Sequence, residues 1–359
     1  MSRSHRRLIA GAALATIALA ATACASSATG AGGSGSTTVT FQGFAGVFQD
    51  AFTKAVIEPF QAEHPDIHIN YQPVKNSAQV LAGLRSARSR PTVDVAIIDS
   101  SVAPTANKEG LFAKLDKKTL PNLADLDPAA VDPDGYGPGL TFDSLSIIYN
   151  TKQISAAPKS WNDLGKPEFD GKLVLPIADT RGIALIRVLD KLENADYQKT
   201  IDPAINRLKQ LAPAVQTWDP QPDIYTAVAS GAAAIGVGWN ARGQLFHDTT
   251  GGDVQTVLPA EGTVTQVNTI NLVANAPNTD AARTFIDYTL GVDSQKAFAA
   301  AAFYAPTNTK AKDALDPKVL NRTAASPEQA AKAIDLDWRW ITPVYADWVD
   351  RIKREVIGG

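Results

Sequence analysis

The sequence predicts an α/β protein with two domains, because short β-prone runs alternate with amphipathic helices in two successive blocks. In the first block, the predicted strands are 39–41, 67–71 and 93–98, and helices are predicted over 46–63 and 79–88. Strand–helix–strand order of this kind is typical of a parallel sheet covered by helices. The first helix places four apolar residues on one face at steps of four, namely Phe48, Phe52, Val56 and Phe60.

A second block of the same kind begins near residue 142 and indicates a second α/β domain. Its β-prone runs are 144–149, 172–175, 234–239 and 264–273, and its helical runs are 183–192, 205–211, 224–229 and 240–247. The rest of the chain is predicted to be helical over 281–289, 294–303, 328–336 and 343–356. No period of 20–50 residues recurs, which excludes a solenoid of stacked repeats.

The N-terminal segment has the pattern of a secretory signal. A basic start containing Arg6 and Arg7 is followed by an apolar run and by the small residues that precede Cys24. The apolar run is shorter than the roughly 20 residues that a membrane-spanning helix needs. The export route stays open between general secretion and the twin-arginine pathway. Residues 24–37 are small and polar and predict a flexible tether, with a reach of roughly 20 Å.

Composition excludes several classes of function. The chain of 359 residues is 45% hydrophobic, which suits a soluble globular protein with a proper core. Removing residues 1–23 with Arg3, Arg6 and Arg7 leaves 31 basic and 37 acidic residues, a formal charge of −6. This mild acidity argues against a nucleic-acid partner. Cys24 is the only cysteine, so no intramolecular disulfide is possible.

Catalytic and metal-binding motifs are not evident. His64 and His68 are four apart but are separated by Pro65, so they would not share a helical face as zinc ligands. The sequence contains no Gly-x-Ser-x-Gly nucleophile motif and no phosphate-binding glycine loop. We therefore predict that the protein is not an enzyme and that it needs no cofactor and no metal. An enzyme remains a rival hypothesis.

Several motifs are spread over most of residues 39–355, namely Ala62-Glu63-His64-Pro65, Ser144–Asn150, Pro158–Leu164, Pro167–Lys172, Gly231–Asn240, Asn268–Asn275 and Tyr304–Asn308. In their order and spacing they resemble the spermidine/putrescine-binding branch of bacterial extracellular solute-binding proteins, which serve ABC importers. The segment Ala21-Thr22-Ala23-Cys24 likewise resembles a lipoprotein signal, although Ala21 stands where leucine is usual. That resemblance implies a lipid on Cys24; ordinary secretion with a free thiol is the alternative.

The family resemblance implies a type II periplasmic-binding-protein fold, in which each of two lobes is a mostly parallel sheet flanked by helices. Lobe one would comprise 38–141 and 268–305, and lobe two would comprise 142–267 and 306–359, after a signal at 1–23 and a tether at 24–37. The chain would cross between lobes near 141–144, 266–268 and 304–307. Hinge motion of such lobes traps the ligand.

Candidate ligand-binding residues follow from the ends of the predicted strands and from the resemblance. Ligands of open α/β sheets sit beyond the carboxyl ends of strands. The polar candidates with hydroxyl or amide groups are Gln42, Ser100, Ser101, Gln266 and Asn268. The charged candidates are Asp143, Asp179 and Arg181, and the aromatic ones are Trp239, Tyr304 and Phe44. Trp239 matches a pocket tryptophan of the polyamine-binding relatives, which favours a place in the pocket over the core; for Tyr304 and Phe44, ordinary core packing is the alternative.

Two departures from the family pattern bear on the solute. The family's Trp-x-Asp stands here as Gln266-Val267-Asn268, and its Asp-x-x-Glu stands as Asp179-Thr180-Arg181-Gly182. A dication would therefore lose charge-assisted hydrogen bonds worth about 1.5–3 kcal/mol each. We expect a small zwitterion or monoamine rather than spermidine. Arg181 could clamp a carboxylate or phosphonate, or it could form an ion pair with Asp179.

The expected partners are a small-molecule solute, an ABC permease in the membrane and the lipid anchor, with the protein itself a monomer. Ferric iron is a rival ligand, because some binding proteins of this fold carry it on two adjacent tyrosines. All eight tyrosines of this chain are isolated in sequence, which argues against iron. A surface-binding protein that is not coupled to transport remains a further alternative.

Overall fold

The computed structural model describes residues 36–358 as a mixed α/β structure. The strands are β1 (Thr37–Phe44), β2 (Ile67–Val74), β3 (Val95–Asp99), β4 (Gly139–Asn150), β5 (Leu173–Val174), β6 (Val215–Thr217), β7 (Ile235–Trp239), β8 (Val254–Val257), β9 (Thr263–Leu272), β10 (Ala305–Pro306) and β11 (Ala333–Ile334). The predicted signal peptide, Cys24 and nearly all of the tether lie outside the described residues.

The helices before residue 240 are α1 (Val47–Phe52), α2 (Glu58–Glu63), α3 (Ser77–Ser86), α4 (Ala103–Lys108), α5 (Thr180–Leu192), α6 (Asp202–Leu211) and α7 (Ile224–Ala229). Those after it are α8 (Asn240–Thr249), α9 (Thr279–Thr289), α10 (Val292–Ala302), α11 (Thr309–Asp313), α12 (Pro317–Leu320), α13 (Pro327–Ala330), α14 (Trp338–Ile341) and α15 (Tyr345–Ile352). Within the described part of the chain, no helix combines the length and apolar character needed to cross a membrane.

The strands form one path in the order β2-β1-β3-β9-β4-β7-β5-β6. At one end, β1 pairs in parallel with β2 and β3, and at the other end β5 pairs in parallel with β6 and β7. Between them, the long strands β9 and β4 are antiparallel to each other and to their outer neighbours. The predicted α/β class is confirmed, with two parallel sheet regions joined by two long antiparallel strands.

Each sheet region has its own hydrophobic core. One core draws on residues 39–140 and 270–302, and the other draws on residues 145–264 and 334–356, with a smaller cluster beside it. Helix α11 packs on the first region, where Asn308 Nδ2 donates to the Leu290 carbonyl at 2.9 Å and Lys310 pairs with Asp125 at 2.8 Å. The lobe boundaries stay a prediction, and these contacts favour a boundary later than residue 306.

The first predicted helix forms, with a modification in its middle. Phe48, Phe52, Val56 and Phe60 are all buried, as their spacing predicts. A single π-helical segment, Thr53–Ile57, separates α1 from α2 within one continuous helical run. Phe52 then packs 5.4 Å from Phe41 of β1 and 5.1 Å from Phe298 of α10, measured between ring centroids. The apolar stripe therefore joins the helix to both the sheet and a helix late in the chain.

The predicted helix over 328–336 is wrong. Only Pro327–Ala330 is helical there, and Ala333–Ile334 forms β11, which pairs in parallel with Thr263–Val264 of β9. Ile334 is buried in the second core, so tertiary packing overrides the local helical pattern. The strands β6, β8, β10 and β11 escaped prediction because runs of two to four residues carry too little periodicity to be recognised.

Candidate functional site

A row of polar side chains lies where β3, β9 and β4 run side by side. Asn268 pairs with Asp99 on one side and with Thr141 on the other, and Gln266 pairs with Asp143. Because alternate residues of a strand point to the same face, these five side chains share one face of the sheet. We call them the hinge face. Both long strands that join the two sheet regions contribute to it.

Hydrogen bonds within the hinge face leave one buried acceptor without a partner. Gln266 Nε2 donates to Asp99 Oδ1 at 2.6 Å, and Asn268 Nδ2 donates to Thr141 Oγ1 at 3.0 Å. Gln266 is only 5% exposed, yet its Oε1 has no hydrogen-bond partner among residues 36–358. Unpartnered buried polar atoms are uncommon in native proteins, and they are often explained by a ligand, an ion or water.

Asp143 is a buried carboxylate at the start of α8. Its Oδ1 accepts hydrogen bonds from the backbone N–H groups of Ser144 at 2.8 Å and Ala241 at 3.0 Å. Trp239, which immediately precedes α8, cannot cap it with its own side chain, so a carboxylate from β4 satisfies the helix N-terminus instead. Burial raises the pKa of Asp143 to about 7, although these N–H bonds act in the opposite direction.

Asp99 ends β3 and is half-buried. Burial raises the pKa of Asp99 to about 6, while hydrogen bonding to Ser77 and Gln266 lowers it. The next two residues are the predicted candidates Ser100 and Ser101. Both hydroxyls are buried without a hydrogen-bond partner in the described part of the chain.

The start of α5 brings a charged pair toward the hinge face. Asp179 caps α5 by accepting from the Arg181 N–H at 2.9 Å, and Arg181 Nε donates to the same carboxylate at 3.1 and 3.2 Å. The charges of both residues act on the pKa of Asp99, after the larger effect of burial, so the pair lies near the hinge face. Of the two roles predicted for Arg181, the structure shows the ion pair with Asp179.

Tyr225 connects the Asp179–Arg181 pair to Trp239. Its hydroxyl accepts from the Trp239 N–H at 2.7 Å and donates to the Trp239 carbonyl at 3.1 Å. The Arg242 guanidinium lies 4.9 Å from the centre of the Tyr225 ring and forms an ion pair with Asp223 at 2.8 Å. Burial raises the pKa of Tyr225 and outweighs the opposite effect of Arg181 and Arg242. The phenol therefore stays protonated at neutral pH.

The ring and the hydroxyl of Tyr304 lie in different environments. Its ring stacks on Phe298 at 5.6 Å and meets Phe48 edge-on at 5.4 Å, as a core aromatic would. Burial first, and then the Asp143 carboxylate, raises the pKa of the Tyr304 hydroxyl, so its polar end lies close to the hinge face. The two hypotheses for Tyr304, core packing and a place at the site, are therefore compatible.

Two predicted residues are not brought to the hinge face. Gln42 donates from Nε2 to Gln72 Oε1 at 3.4 Å and lines a cavity of about 320 Å³ beside α3, together with Leu84 and Arg88. The register of β1 explains why Gln42 lies beside α3. Gln42 pairs with Ala96 in the middle of β3 rather than with Asp99 at its end. Phe44 packs edge-on against Phe48 at 5.5 Å.

Several residues near the hinge face were not among the predicted site residues, namely Asp99, Thr141, Asp223, Tyr225, Arg242 and Tyr345. Asp99 had a sequence signal, since it follows a buried strand directly. Tyr345 had none, because α15 reaches the site only through tertiary packing. Burial raises the pKa of the Tyr345 hydroxyl, and the nearby carboxylates Asp179 and Asp99 raise it further.

The C-terminal segment also contacts the first sheet region. Thr342 Oγ1 donates to the Ser101 carbonyl at 3.3 Å, next to the site. Arg339 forms ion pairs with Asp132 at 2.8 Å and Asp134 at 2.9 Å. Residues 339–342, near the C-terminal end of the chain, therefore join the second sheet region to the first beside the hinge face. We refer to the residues of the hinge face, together with 179–181, 223–225, 239–242 and Tyr345, as the interlobe site.

Among residues 36–358, no group of three or more His, Cys, Asp or Glu side chains is arranged to hold a metal ion. The interlobe site instead offers carboxylates, amides, hydroxyls and aromatic rings around a face that is largely shielded from solvent. Such a mixture of a few polar groups with aromatic walls is typical of sites that bind small organic molecules.

Sequence and structure comparisons identify the family. The family model described as bacterial extracellular solute-binding protein matches residues 55–328. The chain belongs to this family. The spermidine/putrescine-binding periplasmic protein of Escherichia coli strain K12 is 27% identical over 283 residues, which cover 76% of this chain and 79% of that relative. The γ-aminobutyric acid-binding protein of Pseudomonas aeruginosa is 23% identical over 324 residues, covering 85% of this chain and 87% of the relative.

A solved structure shows the same architecture. The crystal structure of an ABC transporter protein from Clostridium perfringens superposes with a TM-score of 0.70 at 25% identity, covering 89% of this chain and 99% of that one. The predicted type II two-lobe fold and the resemblance to the polyamine-binding branch are confirmed. The protein is thus a solute-binding component of an ABC uptake system, and its relatives are solute-binding proteins rather than enzymes.

Proposed function

We propose that the protein is a lipid-anchored receptor that traps one small polar amine or zwitterion at the interlobe site and delivers it to an ABC permease. The observation that carries this proposal is the hinge face, where polar side chains of three strands meet charged and aromatic residues of the opposite lobe. The free Oε1 of Gln266 and the unpartnered hydroxyls of Ser100 and Ser101 provide acceptors and donors for a solute.

Two observations narrow the class of solute: the names of the relatives, and two positions at which this chain differs from the polyamine-binding pattern. Relatives are named for polyamines and for γ-aminobutyric acid. By the resemblance, Gly182 takes the place of the family's glutamate, and a Cβ there would overlap the Ile177 carbonyl. No longer side chain fits at that position, and by the same resemblance Asn268 provides an amide in place of a carboxylate. These losses favour a small amine or an amino-acid-like zwitterion over a long polycation.

Thermal unfolding against a solute library tests the binding function. A solute that binds only the folded state should stabilise it by about 2.7 kcal/mol at a concentration of 100 Kd. Small-angle scattering should show that the bound protein is at least as compact as the free one. If amines, amino acids, organic acids and sugars all fail to shift the melting temperature, the proposal is wrong.

Trp239→Ala tests where the solute binds, because Trp239 stands beside Tyr225 at the interlobe site. We expect the substitution to weaken binding at least tenfold. The matched control is Trp340→Ala, which removes a half-buried tryptophan that packs against Tyr197 at 5.5 Å. The control should lower stability without changing solute affinity, and equal affinities of the two variants would place the site elsewhere.

The lipid anchor rests on the sequence around Cys24, which lies outside the described residues. Because Cys24 is the only cysteine, Cys24→Ser removes the only site for thioether lipidation. We expect the wild-type protein to incorporate labelled palmitate and to partition into detergent, and the variant to be released. If the variant stays on membranes, or the wild type takes up no label, ordinary secretion is the better account.

Two further expectations complete the proposal. Light scattering should find a monomer with and without solute, since each chain carries a complete interlobe site. The solute should be recovered chemically unchanged after prolonged incubation, since the site holds neither a nucleophile–base pair nor a metal cluster among the described residues. Turnover of the solute would contradict the assignment as a non-enzymatic receptor.

A further inference from the structure

The charges of the interlobe site are not balanced. Both of its arginines are already paired, Arg181 with Asp179 and Arg242 with Asp223. Asp99 and Asp143 form no ion pair with any residue of 36–358, and both lie on the hinge face. The site therefore has two carboxylates without cations and no arginine that is free to receive an anion.

Asp99 is the better placed of these two carboxylates to meet a solute. Three backbone N–H groups at the start of α8 and on β4 already surround Asp143, so that carboxylate is largely satisfied. Asp99 is half-buried and accepts from Gln266 Nε2, which holds the Gln266 amide beside it. The amide is anchored by its nitrogen, and its oxygen remains an unused acceptor next to a carboxylate.

A carboxylate and an amide oxygen side by side require a partner with several N–H donors and a positive charge. A protonated amine has both, and charge-assisted hydrogen bonds to a carboxylate are the stronger kind. Resting on the proposed function, we propose that the solute carries a cationic amino group that binds to the Asp99 carboxylate and to Oε1 of Gln266.

This subsite lies on different residues from the family carboxylates that the chain has lost. Gly182 and Asn268 stand at two of those positions, whereas Asp99 belongs to the end of β3. The amine is thereby recognised from the hinge face rather than from the start of α5, where Arg181 and Asp179 neutralise each other. A solute whose only charge is negative would meet Asp99 without any free guanidinium to compensate it.

A set of four-carbon compounds that differ only in their end groups tests the requirement for an amine. The probes are 1,4-diaminobutane, 4-aminobutan-1-ol, 4-aminobutanoate and butanoate, measured with the full chain by calorimetry. We expect the three amines to bind and butanoate to bind at least tenfold more weakly. If butanoate binds as tightly as 4-aminobutanoate, or if only uncharged or anionic compounds of a wider library bind, the amine subsite is refuted.

The variant Asp99→Asn tests the residue itself. It keeps the size of the side chain and removes the charge, so we expect affinity for the tightest-binding amine to fall at least tenfold. The matched control is Asp190→Asn. Asp190 is also a buried aspartate, and burial raises its pKa to about 6 as well. It lies near the C-terminal end of α5, where it accepts a hydrogen bond from the Ala204 N–H. Unchanged amine affinity in Asp99→Asn would overturn the assignment.

The pH dependence of amine affinity distinguishes a direct role of the Asp99 charge from a merely structural role of the side chain. The carboxylate ionises as the pH rises through about 6, whereas an alkyl amine stays protonated up to about pH 10. Wild-type affinity for the amine should therefore rise about tenfold between pH 5 and pH 8. The charged or titratable groups that also lie near Asp99 are Asp179, Arg181, Tyr304 and Tyr345. Asp143 shares the hinge face and has a pKa of about 7, so its ionisation contributes to the pH profile of the wild type and of both variants alike.

The part of this rise that belongs to Asp99 should be lost in Asp99→Asn and kept in Asp190→Asn, so the Asp99→Asn profile should be clearly flatter. A pH profile that Asp99→Asn shares with the wild type would refute the role of this carboxylate even if the variant binds weakly. These outcomes are distinct from a failure of the proposed function, in which no compound of any class would bind and no compaction would follow.

Discussion

Asp143→Asn should flatten the pH dependence of stability of the solute-free protein. The side chain is 3% exposed and has no cationic partner among residues 36–358, so its ionisation is costly in the folded state. Burial raises its pKa from 3.8 to about 7. The folded protein therefore holds this proton at pH values where the unfolded chain has lost it.

The sign follows from proton linkage. Where the folded state binds more protons, stability falls as the pH rises. For pKa values of 3.8 unfolded and about 7 folded, the contribution of Asp143 falls by about 2.5 kcal/mol between pH 5 and pH 8. An asparagine does not titrate, so the variant should lack this part of the loss.

Urea unfolding at pH 5 and pH 8 measures the difference for wild type and variant. The variant will be less stable at both pH values if the amide caps α8 less well, but this offset cancels when the two pH values are compared. Asp280→Asn is the control, because the Asp280 side chain is 99% exposed, and we expect it to keep the wild-type pH dependence. A variant whose stability falls with pH as steeply as the wild type would refute the reasoning.

Two further substitutions test the ion pairs between the lobes and the glycine of α5. Arg339→Ala should weaken solute binding by about 0.2–1 kcal/mol, since it removes exposed ion pairs to Asp132 and Asp134 across the lobes, and titration calorimetry measures the change. Gly182→Ala should lower the free energy of unfolding by more than about 2 kcal/mol, because the new Cβ overlaps the Ile177 carbonyl and the backbone must move.

Each of these substitutions has a matched control. Arg283→Ala removes an exposed ion pair with Asp280 that lies within α9, so it should leave solute affinity unchanged. Screening should also reduce the effect of Arg339→Ala at high salt. For the glycine, Gly83→Ala introduces a Cβ with no atom within 4 Å, in the middle of α3. It should stabilise the protein by about 0.5–1 kcal/mol, and equal effects at Gly83 and Gly182 would contradict the steric explanation.

The elements that could be predicted are those whose pattern is complete within a short stretch of chain. The helix through Phe48 and Phe60 and the buried strand before Asp99 both follow from local spacing. β11 could not be predicted, because Ala333–Ile334 becomes a strand only by pairing with the start of β9.

The candidate site also contains residues that the sequence predicts correctly and residues whose place depends on tertiary structure. Gln266, Asn268 and Asp143 lie together on the hinge face, and the motifs that suggested them are strand motifs with a fixed direction of the side chains. Gln42 is predicted from its place at the end of a strand, but its register against β3 places it beside α3 instead. The residues of one strand determine which face of the sheet a side chain points to. The register with the neighbouring strand determines which groups that side chain meets, and the sequence of one strand does not contain that register.

The sequence alone determined the α/β class, the family and the presence of acidic and amide groups at the ends of particular strands, because these depend on local periodicity and residue type. Tertiary structure decided the rest. Asp143 caps a helix that begins 97 residues later, and the charge of Asp99 acts on the pKa of Tyr345, which is far from it in the sequence. Such contacts follow from how the lobes pack, and no local pattern records which distant groups will share a buried space.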